Sequence, residues 1–152
     1  MINWLERNTK FSWTITFLLA ITIFYVSTLT GGKIGGKGST INATAYHILI
    51  FFLFSLFLFI SLIKGKYKEL ISLGIILSFA YALTDELHQY FVPGRSSSFS
   101  DVGLDFIGVI FASIIYFISL EYRNAGARNR TLAGTKPLPP QGSPFDRSGT
   151  PA

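Results

Sequence analysis

The chain has 152 residues, 49% of them apolar and only 14% charged, with a mean hydropathy of +0.45 and a net charge of +5, whereas a soluble domain carries about 25% charged residues. This is the composition of a membrane protein, and at this length about four short spans fit, which excludes a large repeat-built transporter and any separate soluble catalytic domain. With no cysteine, disulfides, thiolate metal sites and cysteine nucleophiles are excluded as well.

Uncharged intervals define the elements in chain order. Between Lys10 and Lys33 lie 22 residues without a charge, enough to cross ~30 Å of hydrocarbon. No A-x-A-like cleavage site follows, and the apolar run exceeds the core of a signal peptide, so it is read as a retained span. The GGKIGGKGST loop comes next; it lacks the order of a phosphate-binding loop and reads as a flexible connection. A second interval of 26 residues between Lys37 and Lys64 contains FFLFSLFLF, whose phenylalanines fall at every helical phase and serve both lipid contact and packing. Residues 70 to 84 and 106 to 120 give two shorter intervals of 15 residues each. To span, these must draw Asp85, Glu86 and Asp105 to or below the membrane surface, where ionisable groups are costly and tend to be functional. The predicted spans are about 11–31, 44–63, 69–91 and 101–121, an all-α membrane protein of four transmembrane helices. Trp4, Trp13, Tyr67, Tyr90 and Tyr122 suit the aromatic belts at span ends.

With the N-terminus inside, the cytoplasmic loops hold eight basic residues (Arg7, Lys10, Lys64, Lys66, Lys68, Arg123, Arg128 and Arg130) against three outside (Lys33, Lys37 and Arg95). This predicts N-in and C-in. The positive charge thus reports topology, and nothing calls for nucleic acid as a partner. Residues 1–123 form the predicted membrane domain. From Asn124 to residue 152 the composition turns to Gly, Pro, Ser, Thr and Arg, which predicts a disordered tail. Its PLPP has the form of a polyproline element, but a solvated linker or a non-native extension accounts for it better.

The segment TDELHQYFVPGRSSSFSDVGLDFIG, residues 84 to 108, carries the chemistry. On a helix, Asp85 and Glu86 stack with Gln89 at four and three residues, while Tyr81, Asp85 and His88 share an overlapping face. Pro93 and Gly94 break the helix, and Arg95 sits in the turn. Ser98 to Asp101 reads as S-x-x-D at a helix start, giving Asp101 a capping role. Asp105, a turn further in, has no such explanation. Gly103 and Gly108 permit close approach of a neighbouring helix. His47 opens the second span on the same outer side, so three spans converge on one polar pocket.

This stretch resembles the signature of the VanZ-like family: an acidic pair and a glutamine ending one helix, a Pro-Gly-Arg turn, then an Asp leading into a helix with a further Asn or Asp and a Gly. His47 followed by Phe51 is similar to the family's earlier histidine and aromatic pair, although Tyr is frequent where this chain has Phe51, and Asn where it has Asp105. The resemblance covers residues 11 to 120 in architecture and 84 to 108 in specific motif. It implies a small multi-pass protein of the cell membrane, in a family named for low-level resistance to the glycopeptide teicoplanin.

Three functions fit these residues. In the first, the pocket binds or acts on a cell-envelope lipid, a lipid-linked cell-wall precursor or the glycopeptide, with Arg95 pairing a phosphate or carboxylate and Gln89, Glu86 and Tyr81 placed to fix it. In the second, an intramembrane phosphohydrolase or phosphotransferase acts on a phospholipid or polyprenyl phosphate. There His47 or His88 is nucleophile or base, and Asp85, Glu86, Asp101 or Asp105 carries protons or a divalent cation. In the third, Arg95 neutralises the carboxylates and the cluster only ties helix ends together. Four carboxylates against one arginine favour a divalent cation, calcium or magnesium on oxygen ligands or zinc on both histidines, but no established metal motif is present and the metal stays unassigned.

Overall fold

The computed structural model describes residues 2–29, 40–93 and 99–134. Among them all regular structure is helical: α1 (Ile2–Arg7), α2 (Thr9–Thr28), α3 (Thr40–Ile63), a 3-10 turn at Lys68–Leu70, α4 (Ile71–Tyr90) and α5 (Phe99–Gly134). Four stretches are long and apolar enough to cross a membrane: Thr9–Thr28, Thr44–Ile63, Lys68–Tyr90 and Phe99–Asn129. Each begins within two residues of the start expected from the charge intervals.

Two features depart from the sequence reading. Ahead of the first span, α1 is a separate short helix, held because Leu5 packs on Phe59, Ile60 and Ile63 of α3 and because the Ser12 hydroxyl of α2 donates to the Leu5 carbonyl at 2.6 Å. At the other end, α5 does not stop where the composition changes near Asn124 but continues as helix to Gly134. A lack of apolar residues prevents a segment from burying a core, yet extending an already formed helix needs only compatible propensity, which the Ala and Arg of this run supply. Residues 135–152, with PLPP, lie outside the described residues. Met1–Leu120 forms one compact unit, and Glu121 begins a second.

Within the first unit α3 is the most enclosed helix, with half of its span buried against 22% to 33% of the other three. Phenylalanine at every phase lets it be surrounded: Phe51, Phe54 and Phe59 are buried in the core and Phe52 and Phe57 are half-buried at its margin. Contacts fix the register. His47 of α3 meets Asp105 of α5 and Phe59 meets Tyr116, so α3 and α5 run in the same direction. Phe54 lies on Tyr81 and Phe59 on Gly74, so α4 runs opposite. In this register the buried residues fall on common levels one helical turn, about 6 Å, apart. His47, Glu86 and Asp105 form the first, Phe51, Ala82 and Val109 the second, Ser55, Ser78 and Ser113 the third, and Phe59, Gly74 and Tyr116 the fourth.

Gly108 sets the distance between α3 and α5. A Cβ there would lie 2.9 Å from the Phe52 nitrogen and closer still to the Ile48 carbonyl oxygen, both backbone atoms, so only glycine admits this approach. Gly103 meets nothing within 4 Å and does not act as the sequence suggested. Five residues before Gly108, it is turned by about 140° to another face. At the far end of the bundle, Lys64 and Gly65 adopt left-handed backbone at φ 53° and 67°. The Gly65 amide donates to the Tyr116 hydroxyl at 3.2 Å, and that hydroxyl donates to Glu6 Oε1 at 2.7 Å, which joins α1, the turn and α5.

Candidate functional site

The end of α2, the start of α3, the end of α4 and the start of α5 meet at one end of the bundle, and each brings a buried polar side chain. On α4, the four-residue spacing of Asp85 and Gln89 works as the sequence implies: Gln89 Nε2 donates to Asp85 Oδ2 at 2.7 Å. The other oxygen, Oδ1, accepts from the Ser27 hydroxyl of α2 at 2.5 Å, and Gln89 Nε2 also reaches Ser27 Oγ at 3.4 Å. Both carboxylate oxygens of Asp85 are thus occupied by protein donors, which makes it affordable to bury (5% exposed).

A second pair stands beside the first. His47 Nδ1 and Asp105 Oδ1 are 2.8 Å apart, a hydrogen bond between the imidazole and the carboxyl group. Asp105 is fully buried at 0% exposure, and its Oδ2 has no hydrogen-bond partner among the described residues. His47, at 7% exposure, makes no other hydrogen bond among the described residues, leaving Nε2 as the atom by which the pair meets whatever enters. Glu86, also buried, occupies the same level. Gly108, one turn below Asp105, permits the helix approach that brings His47 and Asp105 within bonding distance.

The remaining expected residues are placed as follows. Tyr81 points one turn deeper than Asp85: its hydroxyl donates to the Ala20 carbonyl of α2 at 2.7 Å and its ring lies 4.9 Å from that of Phe54, so it braces α2 against α4. His88 is half-buried and stacks on Phe24 of α2 at 4.5 Å, with Nε2 buried and without a hydrogen-bond partner among the described residues. Asp101 lies half-buried in the first turn of α5. Its capping partner Ser98 and the arginine of the turn, Arg95, lie outside the described residues. Among the described residues, no three His, Asp or Glu side chains gather so as to hold a metal ion: Asp85 is already saturated by Ser27 and Gln89, and Asp105 spends one oxygen on His47. This arrangement does not supply the donor set that a divalent cation would need.

Sequence reasoning missed Ser27. It places a fourth helix in the site, where three were expected, and its only sequence signal is a hydroxyl in the last turn of an otherwise apolar span.

With this geometry in view, comparison with known families is decisive, since the model of the VanZ/LLP1 family matches residues 4–120. The chain belongs to the VanZ/LLP1 family. The match begins within α1 and extends through α2, α3, α4 and the part of α5 within the first compact unit, and so contains every described site residue. No curated protein and no solved structure is significantly similar to the chain. As a VanZ/LLP1 protein with four helices long and apolar enough to span, it is a multi-pass membrane protein.

Proposed function

We propose that the polar cluster is an outward-facing pocket of the cell membrane that binds the polar head of a cell-envelope lipid, a lipid-linked cell-wall precursor or a glycopeptide of the teicoplanin type. One observation carries this reading: His47, Asp85, Glu86, Gln89 and Asp105 are all buried at one end of a bundle whose outer surface is apolar. Ionisable groups at such a depth are expensive and default to ligand sites or ion paths. The excess of Lys and Arg in the loops at the opposite end supports an outward-facing cluster, and the reading assigns Arg95, which lies outside the described residues, to a phosphate or carboxylate of the ligand. Asp85, held by Ser27 and Gln89, fixes the wall of the pocket, while Asp105 Oδ2, buried and without a hydrogen-bond partner among the described residues, and the His47 imidazole are the groups this reading assigns to the ligand.

The test is binding of fluorescent teicoplanin and of a lipid-linked wall precursor to the full chain in nanodiscs, with His47→Ala and Arg95→Ala alongside and phosphate release followed in the same samples. Saturable binding that both substitutions weaken at least tenfold supports the reading. Equal binding by wild type and variants refutes it, and phosphate release abolished by His47→Ala would identify a phosphohydrolase instead.

A further inference from the structure

Two turns below the ionisable level, Ser55, Ser78 and Ser113 come to one depth from three helices. The levels on either side are fixed by contact. Phe51, Ala82 and Val109 pack in one cluster above, while Phe59 lies against both Gly74 and Tyr116 below. One helical turn from each, the three serines fall between them. They are 0%, 0% and 7% exposed, each in the middle of a helix long and apolar enough to span a membrane.

Their hydroxyls are not equivalent. Ser113 Oγ donates to the Ile110 carbonyl of its own helix at 2.8 Å, the usual way for a serine in a membrane helix to satisfy itself. Thr16 and Ser61, also buried, satisfy each other at 3.2 Å. Ser55 Oγ and Ser78 Oγ do neither and have no hydrogen-bond partner among the described residues. A buried hydroxyl without a partner is costly, and two at one level, on facing helices of opposite direction, is the pattern that an ordered water satisfies.

From this we infer that the Ser55–Ser78–Ser113 level is an internal hydration site: ordered water bridges the Ser55 and Ser78 hydroxyls, with Ser113 as a further acceptor. The site is separate from the outer pocket, because the apolar level of Phe51, Ala82 and Val109 lies between them, and it stands whether or not that pocket binds a lipid.

The experiment is water-edited solid-state NMR on the full chain in bilayers, with serine, phenylalanine and valine labelled. Polarisation should pass from water to Ser55 and Ser78 several times faster than to Phe59 and Val109, which are equally buried. Transfer to the serines no faster than to those two overturns the inference. Thermal unfolding of Ser55→Ala and Ser78→Ala gives a second readout. A hydrated pair loses its bridge and both variants melt lower than wild type, whereas dry, unpartnered hydroxyls are relieved by alanine and both melt higher. The transfer rates decide where the two readouts diverge.

Discussion

Gly108→Ala tests the link between backbone packing and the His47–Asp105 pair. The added methyl would stand 2.9 Å from the Phe52 nitrogen and closer to the Ile48 carbonyl, whereas ordinary contact begins at 3.4 Å. Both obstacles are main chain, so no side-chain rotation relieves them, and α3 and α5 must separate by about 1 Å. The His47–Asp105 distance of 2.8 Å then passes the ~3.5 Å at which a hydrogen bond ceases to be one. Overpacking costs about 1–3 kcal/mol, and losing a bond to a charged partner adds about 1.5–3 kcal/mol. Together these come to roughly 2.5–6 kcal/mol, and less the ~1 kcal/mol that alanine gains over glycine in a helix the expected destabilisation is about 1.5–5 kcal/mol. Gly103→Ala supplies the control: nothing lies within 4 Å of its Cβ, so only the propensity gain remains. The assay is denaturant-dependent unfolding of both variants in bicelles, with the His47 side-chain nitrogen resonances followed by NMR. If Gly108→Ala unfolds at or above the midpoint of Gly103→Ala with unchanged His47 resonances, the close-approach argument is refuted.

Other expectations follow from the same geometry. Asp85→Ala removes the carboxylate acceptor shared by the buried donors Ser27 and Gln89; it should cost about 2–5 kcal/mol in thermal unfolding, and Asp85→Asn less. Tyr81→Phe loses the bond to the Ala20 carbonyl and should cost about 1 kcal/mol while leaving ligand binding within twofold, since this hydroxyl faces α2; a binding loss above tenfold would return Tyr81 to the pocket. A cysteine at Ser97, in a chain with none of its own, should react with an impermeant thiol reagent added outside intact cells, and a reporter fused after Tyr122 should be active in the cytoplasm. The reverse pattern would place the site on the inner face.

Much of the fold was legible because charge placement in a membrane chain is close to a map of its spans. The intervals ending at Lys64 and beginning after Glu69 set the end of α3 and the start of α4 to within a residue, since hydrocarbon favours helix for uncharged runs of that length. Helical periodicity also foretold the Asp85–Gln89 bond. What it could not supply was which helices would face each other: Ser27 joins the site through a tertiary contact 58 residues away, and Gly103 and Gly108 look alike in sequence but differ in face. The helical run to Gly134 was missed because composition speaks to burial and is nearly silent on whether a formed helix continues.

The Lys64–Gly65 turn shows two demands on one residue. A lysine at φ 53° sits in a left-handed conformation that costs an ordinary side chain about 1–2 kcal/mol, and glycine or asparagine would relieve it. The same lysine stands in the short KGKYK loop, one of the basic clusters from which the N-in orientation is expected. With that orientation the charge of Lys64 is expected to guide insertion while its backbone closes the finished turn, so Lys64→Asn should trade fidelity of insertion for a more relaxed folded state.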